Sequence, residues 1–303
     1  MTPILGIMAS QISGHLATYL GTTWTSGGAM PSTAAWAGLS YGNSIFVVAV
    51  DAAVTTAASS PTGVTWTART LTGGSGAFKI PFGNGIFMAI GPVTVSSSDG
   101  ITWAATATNG GYANPGQSGA YGLGYFILSN SGTTAAKVSN NNGATWATRT
   151  LSAATQSQAG NSSIVVGVTN TGSTTSYSTD ATLSTWTTGT LPSSSDWYST
   201  TFGNGLFVTV SYTSGTKAAS STDGISWTAR TLPVTASWVG ITWAGSNWIA
   251  VASSGTNAAT STDAITWTTR TIGTGNYTAG VASSGTAAVA VIYSGSTSQR
   301  STS

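Results

Sequence analysis

Apolar and polar residues alternate along this chain in short blocks and never hold helical spacing for three turns. Compact apolar runs recur: "SIFVVAV" (44–50), "GIFMAIG" (85–91), "YFILSN" (125–130), "SIVVGV" (163–168), "GLFVTVS" (205–211) and "NWIAVAS" (247–253). Several are preceded by a run that opens on an aromatic and closes on a turn signal, as in "WAGLSYGN" (36–43), "WYSTTFGN" (197–204) and "WVGITWAGS" (238–246). A polar alternating run follows, such as "TKAASST" (216–222) or "TNAATST" (256–262). Each period then ends on a turn, a tryptophan and a last short run. This grammar predicts four short strands per period, separated by Gly, Asn and Ser.

The closing phrase makes the period measurable. It reads "SSPTGVTWTARTL" (59–71), "SSSDGITWAATAT" (96–108), "SNNNGATWATRTL" (139–151), "STDATLSTWTTGTL" (178–191), "SSTDGISWTARTL" (220–232) and "TSTDAITWTTRTI" (260–272). Its tryptophans are Trp66, Trp103, Trp146, Trp186, Trp227 and Trp267, and an isolated "GTTWTSG" (21–27) adds Trp24; the spacings run from 37 to 43 residues. Four-stranded units at a period of about 40 residues predict an all-β propeller. Six units span residues 34–272. The tail, "NYTAGVASSGTAAVAVIYSGSTSQRSTS" (276–303), supplies three further strands without a tryptophan phrase, and the orphan at 21–27 supplies the missing one. The expectation is a seven-bladed ring of four-stranded antiparallel blades over residues 21–303, its last blade closed by the N-terminal strand. Closure removes the two edges that an open ring would expose.

Composition narrows the function classes. Charged residues make up 5% of the 303, glutamate is absent, and the net charge is +2. With 12 Trp and 10 Tyr the chain is no disordered polar tract. Lys and Arg are scattered, so no basic stripe addresses nucleic acid. The absence of cysteine excludes disulfides and thiolate metal sites, and one histidine, His15, makes no metal centre; no cofactor is expected. The apolar run Ile4–Ala9 is far shorter than a membrane span and lacks a basic flank, so neither a signal peptide nor membrane insertion is expected.

The repeated phrase resembles the Asp-box of BNR-type propellers, Ser-x-Asp-x-Gly-x-Thr-Trp. "SSPTGVTW" and "SNNNGATW" have its full spacing, with Pro61 and Asn141 at the Asp position; the copies around Asp99, Asp223 and Asp263 are one residue shorter, and that around Asp180 is longer. The resemblance implies a hairpin between the third and fourth strands, remote from any active face. The chemistry agrees: Asp or Asn bonds backbone amides two residues on, Gly takes a positive φ, and Trp packs between blades. Arg69, Arg149, Arg230 and Arg270 follow the phrase tryptophans at one register, so they belong on the outer rim, stacked on rings or bonded to carbonyls.

Many BNR propellers are sialidases, which implies an arginine triad and a Tyr–Glu pair. This chain has no Glu, and four of its five arginines belong to the repeat. Glycoside hydrolysis in general needs two carboxylates flanking the bond. Four of the six aspartates lie in repeat turns; Asp51 and Asp196 remain, expected on opposite faces, and no catalytic residue is assigned.

Ligand binding has one candidate location on the ring. Aromatics stand at or before the first strand of most blades: Trp36, Phe78, Trp197, Trp238 and Tyr277, with Tyr112 in the equivalent loop of blade three. They are read in two ways, as plugs between blades or, with Asp196, as a glycan platform around one mouth of the channel. A hydroxyl-rich, nearly uncharged face suits neutral glycans. A second set, Tyr41, Phe82, Tyr121, Phe202 and Trp243, precedes the "GN"-type turns in regular register and is assigned to the core. Residues 1–20 fall outside the repeat. "TPILGIMASQISGHL" (2–16) resembles N-terminal segments of phage structural proteins, which implies a docking arm. Its Ile4, Leu5, Ile7, Met8 and Ile12 need a surface to bury against, on other virion proteins or on the propeller's own side. The resulting expectation is a non-enzymatic virion protein, in a tail fibre or on the head, that binds host-surface carbohydrate. The alternatives are a decoration protein without a ligand and, third, a glycan-acting hydrolase.

Overall fold

The computed structural model describes residues 19–52, 54–107 and 118–303. They form seven four-stranded antiparallel sheets. Blade one consists of Trp36–Gly42, Ile45–Val50, Thr56–Ser60 and Thr67–Thr70, paired in chain order, and the next five blades repeat that order. The first strands touch in a closed cycle, Trp36–Gly42 meeting both Phe82–Gly83 of blade two and Val281–Ser283 of blade seven. The chain is a seven-bladed β-propeller.

Blade seven is closed as the sequence predicts. Val281–Ser283, Ala287–Val291 and Gly295–Thr302 are completed by Thr25–Ala34, with Thr25 opposite Arg300 and Ala34 opposite Gly295. Trp24 packs against the cluster of Ile249, Tyr277 and Ala288 that joins blades six and seven. The strand begins just after the tryptophan and runs further than 21–27. Elsewhere, too, the tryptophan ends the turn and the strand starts one residue later, as with Trp66 and Thr67–Thr70. Pro31 is tolerated in this strand because it is the outermost of its blade, where no further ladder bond is needed. Leu20 is buried, and its carbonyl accepts a hydrogen bond from Asn247 Nδ2 at 2.8 Å, so Leu20 belongs to the ring rather than to an arm. The arm residues Ile4, Leu5, Ile7, Met8 and Ile12 lie outside the described residues, as does His15.

The core sits between the blades. The second strand of blade one, Ile45–Val50, is buried at every position. Its Phe46, Val48 and Val50 face blade seven, while Ile45, Val47 and Ala49 face blade two. A strand sandwiched between two neighbours therefore reads as a continuous apolar run. The second aromatic set packs on an aromatic near the start of the adjoining apolar block: Tyr41 on Phe46 and Phe82 on Phe87 at 4.7 Å between centroids, Trp243 on Trp248 at 5.3 Å. These rings also press against the preceding blade. A Cβ on Gly83 would come within 2.0 Å of the Tyr121 ring, which explains why small residues follow the aromatics.

The phrase turns satisfy their own polar groups. The amides of Ile101 and Thr102 donate to Asp99 Oδ1 at 2.8 and 2.7 Å, and Gly100 N–H donates to Ser97 Oγ at 2.8 Å. Asp223 repeats this with Ile225 and Ser226, and Asp263 with Ile265 and Thr266. Asn141 accepts from the Thr145 amide at 2.9 Å. Partial desolvation works against the Asp99 carboxylate, but the bonds from Thr102, Ile101 and Ser97 outweigh it and hold its pKa at about 2. Arg69, Arg230 and Arg270 extend across the blade: each Nε donates to a hydroxyl, that of Ser59, Ser220 or Thr260, at 2.8–2.9 Å. Of the four, Arg149 bonds carbonyls as expected, through Thr182 and Thr148, and among the described residues none of the four stacks on a ring.

Candidate functional site at the axial mouth

Antiparallel pairing brings the start of each first strand beside the end of the second. Asp51 N–H donates to the Ala35 carbonyl at 2.7 Å, and Tyr212 N–H to the Asp196 carbonyl at 2.8 Å. Ser253 with Ser237 and Tyr293 with Asn276 repeat the arrangement in blades six and seven. All these pairs lie on the face opposite the "GN" and phrase turns. Asp51 and Asp196 therefore open on the same face. The expectation of opposite faces is corrected: the end of a second strand and the start of a first are neighbours in an antiparallel blade.

Four of the proposed platform aromatics are core residues. Trp36, Trp197, Trp238 and Tyr277 are each 0% exposed. Each indole N–H is satisfied by a carbonyl, that of Ser32, Ser193 or Gly215, and Tyr277 OH donates to Gly273 O. A ring with no exposed surface offers nothing to a sugar, so the platform reading of these four is corrected to the plug reading. Burial pushes the Tyr277 phenol up to about 12. Tyr112 lies outside the described residues. Phe78 and Asp196 are half-buried at the mouth.

In blades one, five and six the residue after the plug points the other way, helped by a bulge. Trp197 pairs with Ser211 but Ser199 pairs with Val210, leaving Tyr198 as the extra residue; Ala37 and Val239 are extra in the same way in blades one and six. A bulge unpairs one residue and re-aims it. Here it delivers Tyr198 to the axis, where its ring lies 5.1 Å from that of Tyr212. Ala37, Asp51, Phe78, Lys79, Gln156, Tyr198, Thr278 and Tyr293 line a cavity of about 190 Å³ at this mouth. Desolvation chiefly, then Tyr212, Asp196, Asp51 and Tyr293, raises the Tyr198 phenol above its ordinary value. Asp51 and Asp196 are themselves raised by desolvation, and among the described residues neither side chain has a recorded hydrogen bond. Below the mouth the channel widens to about 440 Å³ between the first strands. These are inner sheet edges, so the channel wall carries backbone polar groups as well as hydroxyls.

Among the described residues no group of three His, Cys, Asp or Glu gathers as a metal site would require. What the mouth does hold is a set of aromatic faces, two carboxylates, an amide and an amine around a concave entrance, which suits recognition of a polar ring-bearing ligand.

No family model matches the chain, and no curated protein does. Solved structures do. Virginiamycin B lyase from Staphylococcus aureus, in a catalytically inactive form with quinupristin, is similar at a TM-score of 0.77 with 13% identity, over 93% of this chain and 99% of that one. YCF48 bound to a D1 peptide is similar at 0.69 with 16% identity, over 92% and 95%. At these identities the likeness extends to the fold alone.

Proposed function

We propose that this chain is a non-enzymatic binding propeller of a phage virion, displayed on a tail fibre or on the head, and that it holds host-surface carbohydrate at the axial mouth. The observation that carries the binding reading is the convergence of Tyr198, Tyr212, Tyr293 and Phe78 with Asp51, Asp196 and Gln156 around one entrance. Aromatic faces stack on the apolar faces of sugar rings, while carboxylates and amides accept or donate at their hydroxyls. The virion part rests on the resemblance of residues 2–16 to phage docking segments and on the Gly/Ser/Thr-rich composition. The partners are then other virion proteins through Ile4, Leu5, Ile7, Met8 and Ile12, and a glycan at the mouth.

A glycan array probed with the full chain tests the binding reading. The expected result is a restricted set of hits that Tyr198→Ala removes while the melting temperature stays near the parent's. An array without hits contradicts it.

One observation favours a second reading, that of a glycan-acting hydrolase: Asp51 and Asp196 share a face and both carboxyls are raised by desolvation, as an acid of a carboxylate pair must be. Hydrolysis of an array hit that survives Tyr198→Ala but not Asp51→Asn or Asp196→Asn would establish it in place of the first.

A further inference from the structure

Among the described residues, Lys79 is the one cation that lines the mouth. It sits at the junction of mouth and channel and lines both cavities. Other cations of the chain are engaged: Arg69, Arg230 and Arg270 on hydroxyls, Arg149 and Arg300 on carbonyls, and Lys217 on the Ser194 carbonyl at 2.7 Å. For Lys79 burial lowers the pKa, and among the described residues no hydrogen bond or carboxylate is recorded that offsets it. An amine that is desolvated without a partner costs free energy, and such groups are characteristic of sites completed by a ligand.

The surroundings of Lys79 differ on its two sides. On the mouth side it shares the cavity with the Asp51 carboxyl. On the channel side, among the described residues, no carboxylate lines the cavity and Lys79 is its one charged residue. Ser40, Ser199, Thr201 and Thr242 line that cavity. One more donor faces the mouth side: among the described residues, Thr278 Oγ1 is buried without a partner.

We propose that the channel below the mouth is an oxyanion subsite centred on Lys79, and that the carbohydrate held at the mouth carries a carboxylate sugar, a uronic or similar acid, whose carboxylate enters the channel. The inference rests on the carbohydrate reading and revises the sequence expectation of a neutral glycan. The pyranose ring remains among Tyr198, Phe78 and Tyr293, and the carboxylate points past Lys79, away from Asp51. A charge-assisted bond from the ammonium, with hydroxyl donors around it, supplies the selectivity.

The test is a titration of the full chain with glucuronate, glucose and acetate, read by calorimetry or by the NMR signals of the Lys79 side chain. Glucuronate is expected to bind about tenfold or more tightly than glucose, the factor one charge-assisted contact supplies. Lys79→Met abolishes that preference, while Lys79→Arg retains it. Equal binding of the two sugars, or a preference that survives Lys79→Met, overturns the subsite and leaves the carbohydrate reading intact. Acetate binding as tightly as glucuronate, with no glucose binding, overturns the carbohydrate reading and retains the oxyanion site. Absence of all three overturns both.

Discussion

The rim turns and the axial mouth occupy opposite faces of the same blades, and they use polar residues in opposite ways. At the rim one phrase recurs and each copy closes its own hydrogen bonds, as Asp99, Asp223 and Asp263 do with the amides that follow them. At the mouth the equivalent station changes from blade to blade: Asp51, Tyr212, Ser253 and Tyr293 all follow a second strand and all bond back to the start of the first. Repetition at the rim satisfies the fold, whereas variation at the mouth leaves raised carboxyls, a raised phenol and an unpartnered amine. In a repeat protein the departures from the repeat are where a ligand is to be sought, because the repeat itself accounts for stability.

The largest effect should come from breaking the frame that both regions share. Deletion of residues 1–34 removes Thr25–Ala34 and exposes Gly295–Thr302 as an open edge. Thermal unfolding should show a loss of cooperativity or a large fall in melting temperature, and an unchanged transition would refute closure by the N-terminal strand. Next is Trp238→Ala, which empties a site with 0% exposure between blades five and six. It should cost about 3–5 kcal/mol in denaturant unfolding, without altering the specificity of the mouth.

The carboxylates sharpen the contrast through pH. Rim groups such as Asp99 have folded pKa values below the ordinary 3.8, so their contribution is present above that pH and is lost as pH falls toward about 2. Asp51 and Asp196 are raised, so theirs is present below 3.8 and is lost as pH rises through the folded value. At pH 7, Asp99→Asn should therefore lower stability, by about 1 kcal/mol as for other lost turn caps, and Asp51→Asn should raise it slightly. Both differences shrink or reverse in melts recorded near pH 2.5. Lys79→Met relieves a desolvated amine and should raise the melting temperature by no more than about 1–2 °C, the shift that ~1 kcal/mol produces in a domain of this size.

Most of the frame was legible in the sequence because a forty-residue period is insensitive to local detail. Tryptophan spacing, apolar blocks and the orphan Trp24 locate seven blades without any alignment. The site was legible only in part. Phe78 and Asp196 reach the mouth, but Trp36, Trp197, Trp238 and Tyr277 do not, because side chains in a strand alternate and one bulged residue changes which face each takes. The bulge that delivers Tyr198 has no signature in "WYSTTFGN". Tyr212 and Tyr293 did have a signal, the blade-to-blade change just after each apolar run, which becomes visible once the blades are aligned on their second strands.

The most direct test of the account is a pair of binding isotherms with one array-selected glycan, for Tyr198→Ala at the mouth and Asp223→Ala at the rim, each with its melting curve. The account predicts that Tyr198→Ala weakens binding by about tenfold or more, as loss of an interface hot spot does, at nearly unchanged melting temperature, while Asp223→Ala lowers the melting temperature and leaves affinity as it was. Affinity lost at Asp223 and retained at Tyr198 would contradict it.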